Sequence, residues 1–555
     1  MTKSHLNKWV AVAAIAAMAA PAAMGVQTSG DGALVRSLDI FNSLVRELNS
    51  FYVDTIDGEK SLETAINAML DDLDPYTEYI PANEQDDFMV ISTGEYGGIG
   101  SYIMERNGSV CFSELYENSP AARAGVKNGD RIITIDGDSV KGWTSDKVSS
   151  RLKGDASTQI KLVVARPFCG PDSIKHFTIT REKIKVNPVE YYGVTRGDMG
   201  YIKLNTFNEH SAEQVRNAVL ELKKNPAVKG LVLDVRGNGG GLLEGAVQIV
   251  GMFVPKGTQV LQTRGRAKAN EKTYKTTQQP IDLDIPLVVL IDGGSASASE
   301  ITAGALQDLD RAVVVGARSY GKGLVQTTRP LPFNSMLKVT IAKYYIPSGR
   351  LIQEIDYSHK NVDGTAKRIP DSLTTVFHTA HGREVRDGGG ITPDVKVDYP
   401  EVNRLVYNVV RDGWAFDFAT RYAAEHPTIP AVDDFEITDE IYNAFKKSID
   451  PARFQYDKVC ETGLADLKKV AKAEGYMNEE TTAEFEKLEK MLKHDLDHDL
   501  DINRKALSDV LAQEIIKNYY YQRGQVLYDL KHDITIDKAH EVLSTPGLWK
   551  KTLKL

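Results

Sequence analysis

The sequence predicts a multidomain α+β chain: an α/β core, a smaller strand-rich domain inserted ahead of it, and helical regions on both sides. Three observations predict this. Between residues 184 and 400, short apolar runs alternate with helical patterns, as they do in α/β cores. From about 92 to 183, glycine-marked turns lead into short strand-like runs. Before 91 and beyond about 401 the apolar residues fall at helical spacing instead. At 555 residues there is room for three or four domains, and 42% hydrophobic with 26% charged residues is an ordinary globular composition. A net charge of −9 without a strongly basic block argues against nucleic acid as a partner.

At the amino terminus, residues 1 to 25, Lys3 and Lys8 precede an alanine-rich apolar stretch, with Ala20-Pro21-Ala22 after it. This order suits an export signal, or an uncleaved anchor, and the stretch is short for a spanning helix. Residues 30 to 91 follow as helices. Leu34, Leu38, Phe41, Val45 and Leu48 form one stripe, and Leu62, Ala65, Ile66, Met69 and Leu70 a second, which Asp74-Pro75-Tyr76 ends. Cys111 and Cys169 fall in the next segment and would be close enough in sequence to pair in an exported chain. Cys460 is left over, and no cysteine spacing suits a metal.

Within the core, the apolar run at residues 285 to 291 reads as a buried strand. It is followed by Asp292-Gly293-Gly294-Ser295-Ala296-Ser297-Ala298-Ser299-Glu300 and a helical pattern. A serine on such a turn sits at a helix N-terminus, where free amides and the helix dipole stabilise an oxyanion. Three serines compete, and spacing alone does not choose. Ser295 suits the helix N-cap, Ser299 falls about a turn inside, and Ser297 lies between two alanines that leave room for a substrate carbonyl. A small-residue run that only lets helix and strand pack closely is the competing reading. Downstream, Lys322 stands between Gly321 and Gly323. A free lysine titrates near about 10.4, so burial must lower it by about three units for work as a base at neutral pH. Upstream, the apolar residues 230 to 233 lead to Asp234 and Arg236 and then to Gly237-Asn238-Gly239-Gly240-Gly241. These glycines permit close backbone approach and lack the Lys-Ser ending of a phosphate-binding loop. A histidine-based triad fits less well: no G-x-S-x-G surrounds Ser297, and the eleven histidines are scattered, His210 and His381 in polar turns.

Ser-Ala-Ser-Ala-Ser-Glu-Ile, then Ala-Gly-Ala-Leu-Gln-Asp, then Gly-Lys-Gly-x-Val-Gln resembles the C-terminal processing (tail-specific) peptidases, over roughly residues 35 to 400. The resemblance implies an α/β serine-peptidase core of that type with Ser297 as nucleophile, Lys322 as general base 25 positions on, and Gln326 orienting the lysine. It implies Gly240 and Ala298 as oxyanion donors, although Gly239 replaces the family's usual proline. Residues 92 to 183 resemble a PDZ domain. Tyr96, Gly97, Gly98, Ile99 and Gly100 match its carboxylate-binding loop, and residues 101 to 104 match the strand beside the peptide groove. Gly388-Gly389-Gly390-Ile391-Thr392-Pro393-Asp394 also fits the family.

These readings imply an exported serine endopeptidase of the periplasm or cell envelope. It binds protein C-termini and cleaves through an acyl-enzyme, with no cofactor or metal. The alternatives are an inactive PDZ-bearing adaptor, which Ser297, Lys322 and Gln326 argue against, and a hydrolase of another acyl substrate such as a cell-wall peptide. Residues 401 to 555 suit a helical cap or dimerisation element, giving a homo-oligomer or a contact for a regulatory protein. His494-Asp495-Leu496-Asp497-His498-Asp499-Leu500-Asp501 invites a metal reading, yet its alternation suits a solvated helix or turn. Tyr519-Tyr520-Tyr521 suits packing more than recognition.

Overall fold

The computed structural model describes residues 31–360, 366–399 and 403–555. The expected export segment, residues 1 to 25, lies outside them. Residues up to Tyr79 form one unit. Helix α1 (Asp31–Phe51) keeps Leu34, Leu38, Phe41 and Leu48 exposed. Helix α2 (Gly58–Asp71) starts where Asp57 accepts the Lys60 amide. Asp74 then takes the Tyr76 and Thr77 amides, which is why the helical pattern stops there.

The second unit runs from Ile80. Helix α3 (Gln85–Thr93) ends on left-handed Gly94. The PDZ-like segment follows, with β1 (Glu95–Gly98), β2 (Ser101–Arg106), β3 (Ser109–Leu115), α4 (Pro120–Ala124), β4 (Arg131–Ile135), α5 (Ser145–Leu152), β5 (Gln159–Ala165), β6 (Ile174–Thr180) and β7 (Glu182–Lys185). Strands β2-β3-β4-β5-β6 form one antiparallel sheet, while β1 pairs with β7 alone. Phe112, Ile135, Val148 and Ile160 fill its core. The cysteines do not pair: all three are free thiols, and burial pushes Cys111 up to about 11.

The core sheet has the order β8 (Val189–Thr195), β9 (Met199–Leu204), β10 (Gly230–Asp234), β13 (Leu287–Ile291), β14 (Val313–Gly316), β17 (Val395–Lys396), parallel from β9 onward. Parallel sheets are stable with both faces covered, and the register shows how. Leu231, Leu233, Leu287, Val289 and Ile291 face α6 (Ser211–Lys223), α7 (Leu243–Val250) and α8 (Ala298–Asp308). Val232, Val288, Leu290, Val313 and Val315 face the opposite way, onto Val526, Leu530, Ile536, Ala539, Val542 and Leu553. The far end of the chain therefore forms the second cover of this sheet.

A second antiparallel sheet joins β11 (Gln259–Arg264), β12 (Lys272–Lys275), β15 (Leu324–Leu331) and β16 (Ser335–Tyr345). The C-terminal helices are α9 (Arg404–Arg411), α10 (Trp414–Glu425), α11 (Asp439–Ser448), α12 (Val459–Ala473), α13 (Glu479–Met491), α14 (Leu496–Ile502), α15 (Arg504–His532), α16 (Ile534–Ser544) and α17 (Leu548–Leu553). Asp495 caps α14 and His494 Nδ1 faces Asp499 at 3.2 Å; no group able to hold a metal occurs among the described residues. Helix α15 is broken at Tyr521, whose φ of 54° and ψ of −161° are far from helical, and the Tyr521 ring packs on the PDZ-like core. Arg106 of β2 reaches α10, donating to Asp417 and to the carbonyls of Asp412 and Gly413.

The end of α8 is anchored by Arg383. It donates to Asp310 at 2.6 Å and to the Gln307 carbonyl at 2.9 Å, and also pairs with Asp394. Asp310 is fully buried. We expect Arg383→Met to cost about 3–5 kcal/mol, because it strands buried carboxylates. Urea unfolding checks this, and an unchanged midpoint would contradict it.

Candidate active site

The site is built where β13 ends. Ser295 is held in the turn: its hydroxyl donates to the Val235 carbonyl at 2.8 Å and accepts the Asp292 amide at 3.0 Å. Ser299 Oγ donates to the Asn238 carbonyl at 2.8 Å. Both are fully buried, while Ser297 is half-buried. The cap position of α8 belongs to Ser297, not to Ser295 as the sequence suggests, because the helix begins two residues later, at Ala298. Ser297 has φ 54° and ψ −112°. A non-glycine residue there costs on the order of 1–3 kcal/mol and persists only where its surroundings hold it. Three bonds do so. Its amide donates to Glu300 Oε2 at 2.8 Å, its carbonyl accepts Tyr344 Oη at 3.3 Å, and the preceding Ala296 amide donates to the Asn238 carbonyl at 3.0 Å.

Glu300 was not among the expected site residues, yet it is the centre of the arrangement. Fully buried, its carboxylate accepts Ser319 Oγ (2.5 Å) and the Gly321 amide (2.7 Å) on one oxygen. The other oxygen accepts the Lys322 (2.9 Å) and Ser297 amides. Burial pushes it up to about 7, against the opposing pull of those four donors. The S-x-x-E spacing from Ser297 is that of a capping box and was the available signal. The Lys322 carbonyl in turn accepts Tyr344 Oη at 2.7 Å. Gly321 and Gly323 let this loop run tightly past Glu354 and Gln353, where a Cβ would come within 2.6 and 2.9 Å. Lys322 itself is half-buried.

Gln326 lies on β15, where a register shift between Val325 and Gln326 turns its side chain across the hairpin, and its amide donates to Thr340 Oγ1 at 3.1 Å. Gly240, at φ 100°, sits against Ser297. A Cβ there would come within 2.9 Å of Ser297 Cβ and 3.0 Å of the Ala298 nitrogen. Its amide, however, donates to Asn238 Oδ1 at 2.9 Å. The two expected oxyanion donors are thus adjacent, with that of Gly240 internally engaged. The two histidines weighed as rivals are partly exposed and face Glu95 (His210) and Asp310 (His381).

In the PDZ-like segment the expected loop divides in two. Gly97 and Gly98 belong to β1, where pairing with β7 engages them, and Ile99 is a buried core residue whose side chain packs in the PDZ-like cluster. Gly100, at φ 74°, makes the turn into β2. Tyr96 lines a cavity of about 460 Å³ between β2 and α5, shared with Ser101, Tyr102, Ser149 and Lys153, that extends to Thr206 and Asn208 of the core. Burial pushes the Tyr96 hydroxyl up, against the opposing pull of the Ser101 backbone and the Tyr116 hydroxyl. Asn208 directly follows Phe207, whose amide donates to the Gly240 carbonyl at 3.0 Å. The cavity therefore ends beside the glycine loop.

A serine at a helix mouth, a tightly held lysine loop and an adjoining PDZ-type groove define a serine peptidase. Profiles described as "Peptidase family S41", "PDZ domain" and "Probable PDZ-protease, C-terminal helical domain" match residues 198–360, 112–166 and 405–543. A carboxy-terminal-processing protease of Bartonella bacilliformis is 38% identical over 336 residues, covering 60% of this chain and 76% of that one. A probable CtpA-like serine protease of Staphylococcus aureus is 31% identical over 475 residues, covering 83% of each chain. The solved photosystem II D1 C-terminal processing protease is 29% identical, covering 65% of this chain and 92% of that one, at a TM-score of 0.35. The chain belongs to the carboxy-terminal-processing proteases of peptidase family S41, and it is a serine-type peptidase with a PDZ domain.

Every partner of Glu300 donates, so an amide in its place must turn its NH2 toward two donors. We expect Glu300→Gln to lower kcat about a hundredfold by shifting the serine and lysine segments apart. Wild-type kcat should fall as pH drops through about 7, where Glu300 takes up a proton and turns a donor toward donors. The stability sign is opposite. The folded value is raised above 4.5, so the contribution of Glu300 is present below 4.5 and lost as pH rises through about 7. Activity and unfolding measured across this range check both.

Proposed function

We propose that this protease is exported and cleaves proteins near their C-termini through a Ser297/Lys322 dyad. The observation that carries the reading is the shared carboxylate of Glu300, which binds the backbone of both residues. The cavity beside Tyr96 and Ser101 supports docking of a peptide end, and its continuation to Asn208 supports delivery of the peptide body to Ser297. Lys322 takes the proton of Ser297 Oγ, which attacks the scissile carbonyl. The oxyanion is met by the Ala298 amide and by the Gly240 amide once Asn238 yields it. Collapse of the tetrahedral species expels the amine as it takes up the proton, and water then hydrolyses the acyl-enzyme. Gln326 contributes by fixing β15, which follows the lysine. The charged-then-apolar leader in the sequence supports the periplasm or cell envelope as the location, by secretion or anchoring. Exposed Leu467, Val470 and Leu488 on α12 and α13 support a homo-oligomeric or regulatory contact in the helical region.

Ser297→Ala should abolish cleavage of a disordered protein, read by mass spectrometry of the products, whereas Ser295→Ala and Ser299→Ala should retain turnover. Lys322→Arg should fail as well, since guanidinium does not give up its proton in a protein. A fully active Lys322→Arg variant would exclude the dyad.

At Gly98, a Cβ would come within 2.7 Å of the Tyr96 ring, so Gly98→Trp must displace that wall of the groove. We expect it to weaken substrates with a free C-terminus by about 2–4 kcal/mol more than their amidated counterparts. Equal losses on the two would exclude carboxylate reading.

A further inference from the structure

We propose that Asp533, supplied by the C-terminal helical region, is a positioning residue for the glycine loop beside Ser297, acting through Arg236. The inference rests on reading that loop as part of the oxyanion hole.

Asp533 divides its two oxygens between two tasks. Oδ1 accepts the Thr535 amide at 2.7 Å and caps α16, while Oδ2 accepts Arg236 Nη1 at 2.6 Å. The other edge of the guanidinium is taken by Asp234, with Nη2 at 2.6 Å and Nε at 3.0 Å. Burial alone would raise Asp234, but Arg236 and Lys203 hold it well below the usual carboxylate range. Arg236 is the residue before Gly237, and the peptide between them is fixed from both sides. Lys203 Nζ donates to the Arg236 carbonyl at 2.8 Å, and the Gly237 amide donates to Asp292 Oδ1 at 2.9 Å. Gly240, against Ser297 Cβ, is three residues further on.

The Asp533 ion pair holds the Nη1 edge of the guanidinium, and Asp234 holds the opposite edge. A polar cavity of about 470 Å³ adjoins Arg236 and is lined by Asp509, Gln513, Tyr528 and Asp529 as well as Asp533. Without the Asp533 charge, the Nη1 edge faces that cavity without its anchor, and Asp234 alone holds the guanidinium at the start of the loop. A displacement on the order of 1 Å in a catalytic loop can cost about a hundredfold in rate, so even partial release of this anchor would be measurable. The C-terminal helical region thereby contributes a side chain to the site's support as well as covering the sheet.

The test uses the full chain with Asp533→Asn and Asp533→Ser. Both replacements keep a side-chain oxygen able to cap α16, and both remove the charge that faces Arg236. Kinetics on a peptide substrate are compared with the affinity of a peptidyl aldehyde, whose adduct with Ser297 carries the tetrahedral oxyanion, and with the thermal midpoint. We expect kcat and aldehyde affinity to fall together by about tenfold in both variants, with KM and the midpoint retained. Wild-type kcat and aldehyde affinity would overturn the proposal. So would a loss in which KM and the midpoint deteriorate in step, since that is the pattern of a structural role. Ser297→Ala run alongside separates the two readings. If it is inactive while the Asp533 variants behave as wild type, only the positioning role falls; if it is active, the dyad itself is wrong.

Discussion

The carboxylate of Glu300 is the interaction on which the site depends. It is fully buried, so its charge carries a desolvation cost of several kcal/mol. Four donors converge on it, and hydrogen bonds to a charged group contribute about 1.5–3 kcal/mol each. The balance explains why the group is pushed only to about 7 and not further. Its position also explains the geometry. Ser297 follows one strand of the parallel sheet and Lys322 precedes a strand of the other sheet, so no shared ladder fixes their separation. The two segments meet at this carboxylate: the Ser297 and Lys322 amides share Oε2, and the Gly321 amide takes Oε1. Strain at Ser297 is tolerated for the same reason, since its amide is one of the four.

The second constraint is the parallel sheet, which must be covered on both sides. Helices α6 to α8 supply one cover from within the peptidase segment. The other comes from residues some two hundred positions further on, Val526 to Leu553. A region that reads as a separate helical appendage is consequently part of the core on which Ser297 stands. Its first half has its own apolar cluster around Phe418, Phe445, Leu511 and Ile515, and α15 runs from that cluster to the sheet.

How much of this was legible follows from what each signal encodes. The strand at residues 287 to 291 and its glycine-serine turn were readable because a doubly buried parallel strand must be apolar throughout and the turn needs small residues. The lysine loop was readable through its flanking glycines and the family pattern. Glu300 is, in sequence, an acidic residue opening a helix, and three of its four partners come from residues 319 to 322, which only folding brings to it. Gln326 was assigned from the pattern alone, and the register shift that sends its amide to Thr340 leaves no mark in the composition. The ring of Tyr521 does pack, as its neighbourhood suggested, but onto the PDZ core and through a helix break that no glycine or proline announces.

That break has a structural logic. Helix α15 spans 29 residues, with Tyr521 at the kink packed on the PDZ core and Val526 and Leu530 beyond it packed on the catalytic sheet. Turning the backbone at Tyr521 lets the first half complete the helical cluster and the second half lie on the sheet, while the aromatic ring itself seals the PDZ side. A positive φ on an aromatic residue costs on the order of 1–3 kcal/mol, and packing of the partly buried ring on the PDZ core offsets part of it. The three segments matched by separate family profiles are therefore joined by a single helix: its kink touches the peptide-binding domain, and its far end delivers Asp533 to Arg236. The PDZ core, the helical cluster and the catalytic sheet therefore each pack on a different part of this kinked segment, Tyr521 on the first, Leu511 and Ile515 in the second, Val526 and Leu530 on the third.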